Sequence, residues 1–149
     1  MVVAQQGDQS GAADLFRKVE EVSPTYTAAR FELGMALFRQ GQLHEAVAQF
    51  SGVEEVSARF APAPYMLGEC YRKLGAFGEA VGAYQRMLQI NPEDAEAWVR
   101  IAECQLQMDM LDGAGAALER ALAINPEHVE AAYLKKHLGE MATPHKPGF

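Results

Sequence analysis

Two kinds of chemically active side chain recur at one and the same spacing in this chain of 149 residues. Glu69 and Glu103 are a pair of carboxylates, and two carboxylates on neighbouring elements could act as a general acid and a general base. Cys70 and Cys104 are a pair of thiols, which could form a disulfide. Neither carboxylate has an obvious nucleophile beside it, so we expect both to be solvated and to keep ordinary pKa values.

Other candidate ligands and motifs are sparse. The histidines have no cysteine or second histidine at a spacing typical of a metal site, and they are His44, His128, His137 and His145. No glycine-rich loop has the phosphate-binding form, and there is no nucleophile-elbow pattern. The sequence therefore predicts no enzymatic activity, no metal site and no cofactor.

The interval that separates Glu69 from Glu103 extends through most of the chain. Residues 66–84 hold a pattern of six positions, Leu67, Gly68, Tyr71, Gly75, Ala80 and Tyr84. The pattern recurs one interval earlier as Leu33, Gly34, Leu37, Gly41, Ala46 and Phe50, and one interval later as Ile101, Ala102, Gln105, Asp109, Ala114 and Leu118. The same interval separates Pro24, Ala58, Pro92 and Pro126. A fixed period of this size indicates a repeat architecture of helix–turn–helix units.

The pattern resembles the tetratricopeptide repeat, a family whose motif combines an early aromatic residue, Leu-Gly, Tyr, Ala-x-x-x-Phe and a final Pro. The residues that carry the resemblance best are Leu67-Gly68-x-x-Tyr71, Ala80-x-x-x-Tyr84 and Pro92. The departures from the motif are Arg30, Leu37 and Ala58 in the first repeat, Pro64 in the second, and Ala102 and Gln105 in the third. The resemblance implies an all-α fold, an α-solenoid in which antiparallel helix pairs stack into a superhelix.

The repeat register predicts how the chain is divided. Residues 1–141 are expected to form one domain, and residues 142–149 to form a flexible tail. Within the domain we expect a partial repeat at 1–26, full repeats at 27–60, 61–94 and 95–128, and a capping helix at 129–141. We also expect that the chain opens inside a repeat and is a piece of a longer protein, with a natural half-repeat cap as the alternative.

Local signals predict seven or eight helices and no sheet. The expected helices lie near residues 10–22, 26–40, 43–56, 62–74, 77–90, 95–108, 111–124 and 129–141. Gly41 should end one helix in the left-handed conformation, and Asn91, followed by Pro92, should end another in the same way. Asp94 is placed to accept hydrogen bonds from the first turn of the next helix.

The composition argues against several functions. The net charge of −7 disfavours a nucleic-acid-binding surface and a polybasic membrane anchor. No apolar run approaches the roughly 18 residues that a membrane-spanning helix needs. We therefore expect neither nucleic acid nor membrane insertion among the interactions of this chain.

The repeat spacing also bears on Cys70 and Cys104. Equivalent points on stacked helices lie about 8–10 Å apart, whereas a disulfide needs Cα atoms within about 7 Å. We therefore expect both residues to be free thiols that serve as small buried packing residues. Free thiols favour a reducing compartment, so we expect the protein to be cytoplasmic.

The resemblance implies that the first helix of each pair lines a concave groove, which would be the partner-binding surface. The groove positions are Phe31, Met35, Phe38, Arg39, Tyr65, Met66, Glu69, Arg72, Glu96, Val99, Arg100, Glu103, Tyr133 and His137. Any single aromatic or methionine here could instead be a core residue. Together they predict an adaptable apolar trough, with the arginines and glutamates as polar anchors.

One known ligand class of the family can be tested against these positions. Repeat modules that clamp the carboxy-terminal tail of heat-shock chaperones use lysine, asparagine and arginine at five groove positions. This chain has Phe31, Met35, Met66, Glu96 and Arg100 at those positions, and only Arg100 fits. We therefore expect a ligand with apolar side chains and not an acidic tail.

These observations favour a protein–protein interaction module that binds a peptide or helix and acts as an adaptor or scaffold in a larger complex. One alternative is a self-assembling scaffold that docks another copy through the end formed by Ala12, Phe16 and Val19. A second alternative is a regulatory segment of a larger enzyme whose catalytic part lies outside this chain.

Overall fold

The computed structural model describes residues 24–142, in which the chain forms seven helices and no strand. The helices are α1 (Pro24–Arg39), α2 (Leu43–Val56), α3 (Pro62–Lys73), α4 (Phe77–Ile90), α5 (Ala95–Gln107), α6 (Leu111–Ile124) and α7 (Val129–Ala142). Each end lies within two residues of the position expected from the sequence. Ala142, which we expected to begin the tail, still belongs to α7, while the predictions for residues 1–23 and 143–149 lie outside the described residues.

Each helix packs most extensively against the helices that precede and follow it along the chain. The helices α1 and α2, α3 and α4, and α5 and α6 form three pairs, and α7 packs on α6. Because neighbours in sequence are neighbours in space, the core is a seam that runs along the stack. The all-α solenoid expected from the repeat period is confirmed.

The turn within each pair uses a left-handed residue at the same repeat position. Gly41, Gly75 and Asp109 have φ angles of 81°, 79° and 61°. The N–H of the residue after each one donates to the carbonyl five positions earlier along the chain, at 2.9, 2.8 and 2.8 Å respectively. This geometry ends the first helix and reverses the chain, and aspartate is one of the residues that tolerate it without glycine's freedom.

The helix ends before proline follow a different rule, and the expectation for Asn91 is wrong. Its φ is −132°, not left-handed, and its N–H donates to the carbonyl of Met87 at 2.9 Å. Pro92 explains the difference, because the ring of a proline restricts the preceding residue to extended conformations. The expected cap at the next helix is confirmed, since the Asp94 carboxylate accepts from the N–H of Ala97 at 3.1 Å.

Close contacts between a glycine and an aromatic ring hold each of the first two pairs together. A Cβ placed on Gly68 would lie 2.5 Å from the ring of Tyr84, and one placed on Gly34 would lie 2.6 Å from the ring of Phe50. Both rings are fully buried. The absence of a side chain at the glycine therefore sets how closely the two helices approach.

We predict that Gly68→Ala destabilises the protein by about 1–3 kcal/mol, because its methyl group must displace the Tyr84 ring. Gly82→Ala is the matched control, since the nearest atom to its Cβ would be Nη1 of Arg86 at 4.0 Å. That change should stabilise α4 by about 0.5–1 kcal/mol through helix propensity. Urea unfolding of the two variants measures both effects, and equal shifts in the same direction would contradict the packing argument.

Candidate functional site

The groove face, defined as the face of α1, α3, α5 and α7 that carries the fourteen predicted positions, presents most of them to solvent. Arg39 and Tyr133 are exposed, and the half-buried members are Phe31, Met35, Phe38, Tyr65, Arg72, Glu96, Arg100, Glu103 and His137. Met66, Glu69 and Val99 are buried. A ligand on this face would therefore contact a partly apolar surface whose floor is formed by the buried members.

Val99 is fully buried, so our expectation that it lines the groove surface is wrong. It belongs to the same core cluster as Tyr84 and Ile101. The equivalent position carries Tyr65 in the preceding repeat and Tyr133 in the following helix. Those side chains are long enough to reach the groove, whereas the short valine side chain ends within the core.

The α1 end of the groove face is apolar and rich in aromatic rings. The ring of Phe31 lies 5.2 Å from those of Phe50 and Phe60, measured between centroids. Phe38 is half-buried, and the Nζ atom of Lys73 lies 5.8 Å from the centre of its ring. This end can offer a ligand dispersion contacts and a cation held over a ring.

The middle of the groove face is organised around a buried carboxylate, Glu69, which we had expected to be solvated. Its oxygens accept hydrogen bonds from Arg72 at 2.7 Å and from the Tyr84 hydroxyl at 3.0 Å. Burial acts to raise the pKa of Glu69, but hydrogen bonds from Arg72 and the two tyrosines Tyr84 and Tyr65, with the charge of Arg72, lower it overall. Glu69 is therefore an ionised structural group.

Arg100 lies between carboxylates from three helices. Its guanidinium nitrogens lie 2.6 Å from Glu96, 2.8 Å from Glu103, and 3.6 Å from both Glu69 and Glu130. Only 20% of the Arg100 side chain is exposed. Its charge is thus compensated within the protein, and it is not free to bind an acidic ligand.

His128 connects this network to the start of α7. Its Nδ1 atom accepts from the N–H of Ala131 at 3.2 Å, so in the neutral ring the proton is on Nε2. Nε2 lies 3.1 Å from a carboxylate oxygen of Glu96 and donates to it. The histidine therefore caps the last helix and orients a groove carboxylate at the same time.

Glu103 departs from our expectation of an ordinary pKa. Burial is the largest cause and a hydrogen bond with Glu130 is the second, and together they raise the pKa of Glu103 to about 7. The same hydrogen bond lowers the pKa of Glu130, as it does when a protonated Glu103 is the donor. The two carboxyl groups also lie beside the same nitrogen of Arg100. The pair therefore holds one proton in the pH range just below 7 and releases it above pH 7.

A comparison of the three repeats explains why the pKa of Glu69 is lowered while that of Glu103 is raised. Glu69 is paired with the hydroxyl of Tyr84, but the residue that corresponds to Tyr84 in the third repeat is Leu118, which has no donor. In the first repeat the corresponding pair is Met35 and Phe50. In the first two repeats, the groove residue and the residue beneath it therefore agree in polarity. Glu103 has no polar residue beneath it and interacts with Arg100 and Glu130 instead.

A cavity of about 680 Å³ opens beside Glu103. Its apolar wall consists of Phe77, Leu106, Leu111 and Leu134. Arg72, Glu103 and Asp109 are charged residues at the same cavity. A volume of this size is within the range of ligand-binding cavities.

Leu106 and Glu130 were not among the predicted groove residues, although the repeat period contains the signal. Leu106 occupies the repeat position of Arg72, and Glu130 occupies that of Glu96. Both positions had been assigned to the groove in other repeats. Extending the register to every repeat would have found them.

Cys70 and Cys104 are free and fully buried, and burial raises the pKa of each thiol to about 11. A thiol with such a pKa is a poor nucleophile. Within residues 24–142, no three His, Cys, Asp or Glu side chains are arranged to hold a metal ion. None of the helices described is long and apolar enough to cross a membrane.

Comparison with known families decides the classification. One tetratricopeptide repeat model matches residues 2–64 and 31–95, and another matches residues 71–138. The chain belongs to the tetratricopeptide repeat family. Domains of this family are in general interaction modules and not catalysts. No curated protein matches the sequence significantly.

Solved structures share this fold at low sequence identity. The first tetratricopeptide repeat domain of human RPAP3 is 19% identical, with a TM-score of 0.74 over 85% of this chain and 100% of that domain. The first such domain of Spaghetti (RPAP3), bound to the HSP90 peptide SRMEEVD, is 20% identical, with a TM-score of 0.72 over 78% and 93%. The Yersinia enterocolitica type III secretion chaperone SycD, in complex with a YopD peptide, is 20% identical, with a TM-score of 0.71 over 85% and 96%.

We predict that the stability of this protein falls as the pH rises from about 5 to 8. The folded protein keeps a proton on Glu103, whose pKa is about 7, while the unfolded chain has released it above its ordinary value of 4.5. The folded state then binds more protons, so the free energy of unfolding decreases with pH. Urea unfolding at several pH values measures the slope.

Glu103→Gln should remove this slope, because glutamine does not titrate. Glu79→Gln, a change at an exposed residue of α4, is the control and should keep the wild-type slope. The charged groups beside Glu103 are Arg72 of α3, Arg100 of α5, Asp109 of the turn after α5 and Glu130 of α7, and the pKa of Glu130 is lowered below this pH window. Equal slopes for wild type and Glu103→Gln would refute the assignment.

Proposed function

We propose that this chain is a protein–protein interaction module that holds a peptide or a helix on the groove face. The observation that carries the proposal is the continuity of that face. Half-buried apolar side chains extend from Phe31 and Phe38 on α1 to Tyr65 on α3, and the cavity beside Glu103 continues the surface toward α7. A peptide could bury apolar side chains along this length.

Known complexes of the fold support this proposal. The Spaghetti (RPAP3) domain is bound to a peptide of HSP90, and the SycD chaperone is bound to a peptide of YopD. Both proteins share the helical stack with this chain, and the low identity leaves the ligand of this chain to its own residues. Binding of a protein segment is therefore the proposal, and the ligands of those relatives are not carried over.

The wider role that we propose is that of an adaptor or scaffold in the assembly of a larger complex. The alternative of self-assembly depends on Ala12, Phe16 and Val19, which lie outside the described residues. A regulatory role within a larger enzyme is the other alternative. We also propose a cytoplasmic location, which the two unpaired thiols support.

The test uses a library of random peptides with blocked termini, selected on the full chain. We predict that peptides are recovered and that Tyr133→Ala weakens their binding roughly 30-fold, as expected for an aromatic anchor worth about 2 kcal/mol. Tyr133 suits this test because 59% of it is exposed, so its removal should leave the melting temperature unchanged. Calorimetry and thermal unfolding measure the two quantities.

Gln85→Ala is the matched control for binding. Gln85 is exposed on α4, the second helix of its pair, and should not contact a ligand on the groove face. Recovery of no peptide would contradict the proposal. Binding that depends on Gln85 and not on Tyr133 would also contradict it, because the ligand would then contact α4 and not the groove face.

A further inference from the structure

The cavity beside Glu103 combines an apolar wall with an uneven balance of charge. The wall residues Leu106, Leu111 and Leu134 are all half-buried, so they retain apolar surface that a ligand could cover. At about 680 Å³, the cavity has room for a large apolar side chain and part of the adjoining peptide. The size and apolar wall of the cavity thus favour a ligand with a large apolar side chain, and the surrounding charges bear on the charge of that ligand.

Carboxylates outnumber cations around this cavity. The carboxylates at the cavity or in the network beside it are Glu69, Glu96, Glu103, Asp109 and Glu130, and the arginines are Arg72 and Arg100. Arg72 lies 2.7 Å from Glu69, and Arg100 lies 2.6 Å from Glu96. Both arginines are therefore engaged within the protein, and the charge left for a ligand is negative.

An acidic peptide is a poor match to this charge balance. The HSP90 peptide SRMEEVD bound by the Spaghetti (RPAP3) domain is acidic toward its end. In this chain the residue that best fits such a ligand, Arg100, is surrounded by four carboxylates. An acidic segment would have to displace one of them, whereas a basic segment would add a partner to an incompletely neutralised group.

We propose that the ligand of the groove face is a basic peptide segment, in which an apolar side chain fills the cavity and an adjacent lysine or arginine lies against Glu103 and Asp109. This inference rests on the proposed function and names the chemistry of its partner. Charge complementarity between the segment and these carboxylates supplies specificity and a faster association rate. The apolar side chain supplies the buried area.

The experiment is the selection of blocked random peptides on the full chain at pH 8, where Glu103 is ionised. We expect the selected peptides to place lysine or arginine beside leucine, methionine or phenylalanine. We also expect the double variant Glu103→Gln/Asp109→Asn to weaken their binding by about tenfold or more, the effect of losing a charge-assisted hydrogen bond. Asparagine suits position 109 because it tolerates the left-handed backbone there.

Two sets of control variants test the role of the carboxylates and the placement of the ligand in the cavity separately. Glu79→Gln removes an exposed carboxylate from a second helix and should leave binding unchanged. Gln107→Trp places a large side chain in the cavity and should weaken binding by about tenfold or more, whereas Gln89→Trp, on the exposed side of α4, should not. Thermal unfolding of each variant shows whether the fold is intact.

The outcomes distinguish this inference from the proposed function. Recovery of acidic or uncharged peptides that still depend on Tyr133 would overturn the inference and leave the interaction module standing. Basic peptides that bind the Gln107→Trp variant as well as wild type would overturn the placement in the cavity. Failure to recover any peptide would overturn the proposed function itself.

Discussion

The contact between Gly68 and Tyr84 is the constraint on which the groove depends. The missing side chain at position 68 lets the ring lie against α3, and the ring then brings its hydroxyl within 3.0 Å of Glu69. That bond holds a carboxylate in a buried position, where it fixes Arg72. A steric requirement of the repeat thus becomes an electrostatic feature of the groove face, since Tyr84 serves both the packing and the polar network.

The sequence predicted the fold well because its main determinants are local and periodic. Helix ends follow from glycine, proline and capping residues, and their positions repeat. Asn91 was misjudged because the restriction imposed by Pro92 outweighs the tolerance of asparagine for a left-handed backbone. Such errors are small, since they move a backbone angle and not a helix.

The site was harder to predict, because periodicity indicates which face of a helix a residue is on but not how deeply its side chain is buried. Val99 and Tyr65 share a repeat position, yet side-chain length decides that one is core and the other reaches the groove. The burial of Glu69 and the raised pKa of Glu103 depend on partners from other helices. Those partners are set by how repeats stack, which no single repeat encodes.

The most direct test of the account is to observe where a selected peptide touches the protein. Trp98 is the single tryptophan and lies beside residues of α4 and α6, with the Arg120 guanidinium 4.9 Å from the centre of its ring. Met35 lies on the groove face of α1. In NMR spectra recorded during titration, the account predicts that the Met35 methyl signal shifts and the Trp98 indole signal does not. A shift of Trp98 with an unchanged Met35 would contradict it.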